Sequence, residues 1–390
     1  MTAARVLVVH NRYRTPGGED AVVEAEVALL RKRGHDVQTY IRDNAELDRM
    51  PAAGALAQLV WSRRTSREID RLVAALRPDV IHAHNTFALV SGSLYWAARR
   101  AGVPIVQTLH NFRLLCVQTM LLREGRVCED CLGHGPWRGV KHRCYRDSTA
   151  QSAALAAMLA THRALGTYRD KVTRYIALNE FCRAKFIAGG LPAERIAVKP
   201  NFVDLPLPAD ELRAGGLYVG RLAPEKGIAT LVAALDDLPG VTIDVVGTGP
   251  EQARIADHRQ MRLLGWREPE EVYARMRRAA YLVMPSLWYE SHPRTLLEAF
   301  GSGLPVIASR IGALAELVEP GITGLTIEPG SSRDLRQSIA WAEANPARMR
   351  TMGERARARY ERTFTPHENY RQLIAIYSEA MAAIALRPAS

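Results

Sequence analysis

The chain has 390 residues and a mass of 43.2 kDa, too long for one ordinary hydrophobic core, so two domains are expected. With 47% hydrophobic and 24% charged residues it is not a disordered chain, and no uninterrupted apolar run approaches the ~20 residues that span a bilayer. The net charge of +11 is uneven: residues 1–200 hold 30 basic against 18 acidic side chains, and residues 201–390 hold 22 against 23. A basic half beside a balanced one suits an anionic partner or surface, and an arginine-rich solvated face is the plainer alternative.

In chain order, the four apolar residues 6–9 are too short for a signal-peptide core and read as a buried first strand, so a cytoplasmic location is expected. A polar loop at 11–20 leads into a helix over 21–33, with Val23, Val27 and Leu30 at helical spacing. Further buried strands are expected at 36–41, 80–83, 105–109 and 175–178. Residues 200–208 are Pro-rich and aperiodic, the best place for a linker. The pattern then restarts with strands at 217–219, 242–246, 263–264, 281–284, 306–308 and 325–327, and a last helix covers 366–385. Strands alternating with helices imply parallel sheets, here α/β with two Rossmann-like domains. The expected division is residues 1–202 plus 366–390 as the first domain and 203–365 as the second.

Open α/β sheets bind ligands beyond the carboxyl ends of their strands, and the residues there carry chemistry. Gly17-Gly18 follows the first strand, where glycines allow close backbone approach to a phosphate and a helix start adds partial positive charge; such pairs also make ordinary turns. His84-Asn85 follows the strand at 80–83, and His110-Asn111 the strand at 105–109. In the second half Arg221 and Lys226 flank a loop directly after a strand, two cations that suit a diphosphate. Gly247 and Gly249 sit after the strand at 242–246. Glu290 and Glu298 bracket Glu290-Ser-His-Pro-Arg-Thr-Leu-Leu-Glu298; with a helix starting near Arg294, they suit two hydroxyl-rich parts of one ligand, because each carboxylate oxygen accepts two hydrogen bonds.

Together these elements resemble the retaining glycosyltransferases of family 4. The resemblance runs from Gly17-Gly18-Glu19 through the His84-Asn85 and Thr108-Leu-His110 loops to Pro200-Asn-Phe-Val-Asp204. It continues in Val219-Gly-Arg-Leu-Ala-Pro-Glu-Lys-Gly227, Val246-Gly-Thr-Gly-Pro250 and Glu298-Ala-Phe-Gly-Ser-Gly-Leu-Pro-Val-Ile-Ala-Ser309, with Gly312 and Glu316. It implies the GT-B fold, two Rossmann-like domains facing a central cleft. It also implies transfer of a hexose (glucose, N-acetylglucosamine or mannose type) from a UDP- or GDP-linked donor to an acceptor hydroxyl with retention.

Carried over by position, the resemblance puts Arg221 and Lys226 on the diphosphate, Glu298 on the ribose and Glu290 on the transferred sugar. Gly17, Gly18, Gly247 and the amides of Arg294 and Thr295 would complete the donor site. His110 would be the active-site histidine beside the sugar, with His84, Asn85 and Asn111 on the acceptor or sugar side. Pro293 stands where many members have Gly and offers no N–H. No catalytic metal is implied. The acceptor would be a cell-surface or lipid-linked glycan or a small secondary metabolite. A nucleotide-sugar epimerase or hydrolase on the same fold and a non-catalytic sugar-nucleotide binder are the rivals. A nucleic-acid binder should show a basic recognition module, and none is found.

Four of the five cysteines, Cys116, Cys128, Cys131 and Cys144, fall in an insertion at about 116–146. In a cytosolic chain a Cys-x-x-Cys with flanking cysteines suggests structural zinc, with His134 and His142 as spare ligands; thiols packed under a loop are the alternative. A subgroup of the family resembles this chain in carrying such an insertion. Residues 56–76 read as one amphipathic helix with Trp61, Arg63, Arg64, Arg67 and Arg71, suited either to an anionic membrane surface or to packing on its own sheet.

Overall fold

The computed structural model of the chain describes residues 3–14, 17–206 and 212–385. The chain divides into two compact units. One takes Met1–Met120, Glu129–Pro200 and Asn369–Ser390; the other takes Leu121–Cys128 and Asn201–Glu368.

The first unit is built on β1 (Arg5–Arg12), β2 (Asp36–Asp43), β3 (Val80–Ala83) and β4 (Ile105–Leu109). A two-stranded hairpin, β5 (Leu122–Arg123) and β6 (Arg126–Val127), belongs to the other unit, and β7 (Arg174–Ala177) and β8 (Ile196–Val198) complete this sheet. The order is β2-β1-β3-β4-β7-β8, parallel throughout, with Val8 opposite both Thr39 and His82. Every residue of β3 and β4 is buried, so neither strand alternates between an exposed and a covered face, and the polar His82, Gln107 and Thr108 within them are hydrogen-bonded to other side chains. The helix Gly18–Lys32 lays Val23, Val27 and Leu30 on this sheet, and the last helix, Pro366–Ala385, adds Leu373, Ile376 and Tyr377 to the same core.

The single helix expected at 56–76 is two, Ala52–Val60 and Arg63–Leu76. Trp61 is extended (φ −146°, ψ 114°), and the Ser62 hydroxyl caps the second helix by accepting from the Thr65 N–H. That helix buries Thr65 and Ile69; Arg64 pairs with Glu46 and Glu68, and Arg63, Arg67 and Arg71 are exposed. Among the described residues no helix is long and apolar enough to cross a membrane. The short strand β8 was not expected from the sequence.

The second unit carries β9 (Gly216–Val219), β10 (Ile243–Val246), β11 (Met261–Gly265), β12 (Tyr281–Met284), β13 (Val306–Ser309) and β14 (Gly324–Ile327). The order is β11-β10-β9-β12-β13-β14, again all parallel. Its core gathers Ile228, Leu231, Leu235, Ile243, Val245, Tyr281, Val283 and Ile307 with Leu335 and Ile339. Chain order reverses between β9 and β12, which opens a crevice at their carboxyl ends. Of the expected linker, residues 201–206 are irregular, tied within this unit by the Tyr360 hydroxyl to Val203 O (2.8 Å) and Leu205 N (3.2 Å). Residues 207 and 208 lie outside the described residues.

Candidate active site

In the second unit the loop leaving β9 turns through Pro224–Lys226 and closes at Gly227, whose φ is +75°. A Cβ at Gly227 would stand 1.9 Å from the Pro285 carbonyl oxygen, so glycine is what lets this loop pack on the chain leaving β12. The Leu287 N–H donates to Glu225 O at 2.9 Å and ties the loops together. The result is a close ion pair, Lys226 Nζ donating to Glu290 Oε1 at 2.5 Å. The same oxygen accepts from Ser286 Oγ (2.9 Å) and Trp288 Nε1 (3.1 Å), and Lys226 Nζ lies 5.3 Å from the Trp288 ring centroid. Glu290 is only 5% exposed, so its carboxylate is held rather than mobile.

Gly247, at φ +135°, brings the end of β10 against β9; a Cβ there would meet Gly220 O at 2.0 Å. Arg221 stands in the β9 loop but is 62% exposed and ion-paired with Glu225, not with the Lys226–Glu290 pair. Glu298 lies on the helix Arg294–Gly301, where its Oε1 accepts from Arg294 Nε (3.0 Å) and Tyr273 Oη (3.3 Å). Lys226, Ser286, Glu290, Pro293 and Thr295 line one small cavity of about 40 Å³. Pro293 at the N-cap of the Arg294–Gly301 helix makes no side-chain cap bond and the first turn carries no acidic residue, so no carboxylate of that turn offsets the positive dipole end. A larger cavity of about 770 Å³, lined by Gly215, Thr242, Asp244 and Arg262, sits at the amino ends of β9 and β10, the wrong end of the sheet for these residues.

In the first unit, the carboxyl ends of β1, β3 and β4 gather four histidines. His84 and His110 stack with ring centroids 5.2 Å apart and planes 18° apart, and His84 Nδ1 lies 2.9 Å from His110 Nε2. His82 bridges the Tyr377 hydroxyl (2.7 Å) and Thr108 Oγ1 (2.8 Å), and His10 Nε2 lies 2.8 Å from Asp20 Oδ1. Beneath them Lys199 Nζ donates to Glu26 Oε1 at 2.5 Å, both side chains at most 2% exposed. Burial, with the neighbouring imidazoles and Lys199, holds the His84 and His110 pKa well below the ordinary histidine value, and burial lowers His82 to about 4. These rings are neutral at pH 7.

Gly17 and Gly18 are exposed, and a Cβ at either would meet nothing within 4 Å. The Gly17 N–H is held by Asp20 Oδ2 at 2.8 Å. Asn85 is a brace: its amide donates to Asn11 O (2.7 Å), its Oδ1 accepts from Phe87 N (3.0 Å), and it is 7% exposed. Asn111 donates to Tyr13 Oη (3.2 Å) and Glu19 Oε2 (3.3 Å) and accepts from Arg113 N (3.0 Å).

Burial, then the neighbouring Asp20 charge, pushes the Glu19 carboxyl from 4.5 up to about 8. The folded chain therefore keeps a proton there that the unfolded chain has lost, and this group makes stability fall as pH rises from about 4.5 to about 8. Glu19→Gln is expected to flatten that decline, read from chemical denaturation at pH 5.5 and 8.5. An unchanged slope would show that the carboxyl ionises normally.

The expected zinc site is not formed. Among the described residues the only three or more metal-ligating groups whose donor atoms lie within 4.8 Å of one another are Glu26, His82 and His84. Thiolates ~2.3 Å from one zinc ion stand closer together than that, so Cys116, Cys128, Cys131 and Cys144 do not fit the metal. None of the five cysteines is in a disulfide. Ordinary contacts order the insertion instead, including the Lys185–Glu129 ion pair at 2.5 Å and the Cys128 N–H bonded to Leu121 O at 2.8 Å.

Sequence reasoning missed Glu26 and Lys199, which meet across 173 residues with no local signal. Trp288, two residues from Glu290, was within reach of it.

Two family models match the chain, "Glycosyl transferase 4-like domain" over residues 17–201 and "Glycosyl transferases group 1" over residues 209–359. The D-inositol 3-phosphate glycosyltransferase of Mycobacterium bovis is 30% identical over 399 residues, covering 94% of this chain and 79% of that protein. The glycogen synthase of Mycobacterium tuberculosis is 29% identical over 306 residues, covering 74% of this chain and 66% of that protein, just short of two thirds of its length. Among solved structures, HepE (Alr3699) of Anabaena in complex with UDP superposes with a TM-score of 0.68 at 20% identity, over 96% of this chain and 99% of that one. The same protein in complex with UDP-glucose gives a TM-score of 0.67.

Proposed function

We propose, because this chain belongs to glycosyltransferase family 4, that it transfers a hexose from a UDP-linked donor to an acceptor hydroxyl with retention of configuration. The GT-B fold of that family is present as two parallel six-stranded sheets. The observation that carries the reading is the Lys226–Glu290 pair, placed where the second sheet reverses its order. The UDP and UDP-glucose bound by HepE favour uridine over guanosine in the donor. The acceptor class is a glycan or a polyol such as a cyclitol, in line with the inositol phosphate named for the mycobacterial relative.

Lys226 and Arg221 neutralise the diphosphate as it leaves, and the start of the helix Arg294–Gly301 adds its dipole. Glu298 accepts from the ribose hydroxyls and Glu290 from hydroxyls of the transferred sugar. Gly17 and Gly18, whose Cβ positions are free of protein atoms, leave room for the sugar phosphate to approach the backbone. The bond from the anomeric carbon to the phosphate oxygen breaks, and a bond to the acceptor oxygen forms on the same face. The acceptor's proton passes to the departing phosphate oxygen, so no protein base is required. Neutral His110 hydrogen-bonds a sugar hydroxyl and orients the anomeric centre.

UDP-hexoses are expected to raise the melting temperature more than GDP-, ADP- or dTDP-hexoses do. At a hundred times its dissociation constant the donor stabilises by about 2.7 kcal/mol. NMR of the product should show an α-linkage from an α-linked donor. Stabilisation by none of these compounds, or a β-linked product, overturns the reading.

A further inference from the structure

We propose that Glu26 and His84 are positioning residues that fix the tautomer of His110, placing its proton on Nε2 and leaving Nδ1 as a hydrogen-bond acceptor. The inference rests on the reading that His110 touches the transferred sugar; the tautomer itself does not.

The argument begins with the 2.9 Å contact between His84 Nδ1 and His110 Nε2. Two neutral imidazoles at this distance share one proton, so one nitrogen donates and the other accepts. The other side of His84 decides which. Its Nε2 lies 3.6 Å from Glu26 Oε2, and neither atom has another hydrogen-bond partner. Both side chains are at most 2% exposed, so water does not screen them. If Nε2 held a lone pair, it would face a buried carboxylate lone pair, and both would repel in a medium of low dielectric. A proton on Nε2 makes the contact attractive, although 3.6 Å is longer than a hydrogen bond. His84 Nδ1 is then the acceptor, His110 Nε2–H the donor, and His110 Nδ1 carries the free lone pair. That lone pair suits a hydroxyl that donates, as a hexose hydroxyl does.

Lys199 sets the other end. Its ammonium donates to Glu26 Oε1 at 2.5 Å, which keeps Oε2 directed at His84. An imidazolium in this cluster is opposed by burial, by the neighbouring histidines and by Lys199, so protonating both nitrogens of His84 or His110 does not offer a way out. Glu26, His82 and His84 are also close enough in space for a metal ion. Both His82 nitrogens are already bonded to hydroxyls and Lys199 supplies the cation, so these groups serve proton placement instead.

Glu26→Gln turns the arrangement into a test. Lys199 needs an acceptor, so the glutamine oxygen faces Lys199 and its NH₂ faces His84. The amide then donates to His84 Nε2, His84 Nδ1–H donates to His110, and His110 is left protonated on Nδ1. Long-range ¹H–¹⁵N correlation spectra of histidine-labelled protein should show His110 as the Nε2–H tautomer in the wild type and as Nδ1–H in Glu26→Gln. The wild-type spectrum alone suffices if the variant does not fold, and an Nδ1–H His110 there overturns the proposal. So does an unaltered tautomer in a folded Glu26→Gln. With the tautomer switched, kcat should fall about 10-fold or more while the donor's thermal shift is kept, the scale for losing an imidazole's orienting partner. A switched tautomer with wild-type turnover supports the relay and instead removes His110 from the sugar contact.

Discussion

Lys226→Ala is expected to lower kcat by about 100-fold or more, the scale on which one preorganised donor to a developing oxyanion acts. Four features of the chain aim the ammonium before any chemistry begins. The Gly227 turn seats the loop on Pro285, the Leu287–Glu225 bond locks it, Glu290 Oε1 holds Nζ at 2.5 Å, and Trp288 lies beneath it. A charge fixed in this way needs no reorganisation when negative charge develops on the leaving phosphate, so its loss falls on the transition state more than on the ground state. The fold should survive, because Glu290 keeps its bonds from Ser286 and Trp288 and Lys226 is itself part-exposed. Steady-state kinetics on a variant with wild-type circular dichroism separate the two effects. A kcat near wild type would take Lys226 out of the diphosphate site. An increase in KM alone would make it a uniform binding contact.

The strands carrying these residues were legible because a parallel sheet covered on both faces needs continuous apolar runs. Tyr281–Met284 is such a run, buried at every position, and Val80–Ala83 is equally buried but carries the polar His82 within it. Once the strands were placed, the rule that ligands meet their carboxyl ends drew attention to the loops that hold Lys226, Glu290 and His110, and the family resemblance supplied the roles proposed for them. What local pattern could not supply was pairing. Apolar spacing reads straight through Trp61 and Ser62, yet the serine hydroxyl caps a new helix there. Cysteine spacing suggested a metal knuckle, but spacing along the chain does not determine whether four thiols converge, and these do not. The strand Ile196–Val198 has three residues at a sheet edge, too few for a period to show. Its role is apparent only in space, where it ends one residue before Lys199 and delivers that side chain to Glu26.

Lys199→Met should therefore be among the most damaging substitutions in the first unit, costing about 3–5 kcal/mol, because it leaves a buried carboxylate without its cation. Lys199 is fully buried and Glu26 is 2% exposed, so solvent cannot replace the ammonium. The histidines are poor substitutes: the low pKa of His84 and His82 keeps them neutral, and a neutral imidazole cannot cancel the charge. A loss of this size is a large part of the roughly 5–15 kcal/mol that holds a typical domain folded. Because the chain has two units, the measurement should follow the first one by itself, for example by hydrogen exchange of β3 and β4 under denaturant. Adding Glu26→Gln to Lys199→Met removes the uncompensated charge, and the double variant should recover most of the loss. A double-mutant cycle over the four proteins then gives the coupling directly. If Lys199→Met stays within about 1 kcal/mol of wild type, inside the range of an ordinary exposed pair, water reaches Glu26 and the pair is not the buried strut described. If the double variant is no better than the single, the loss comes from packing of the lysine stem, and charge is not what anchors β8 to the histidine cluster.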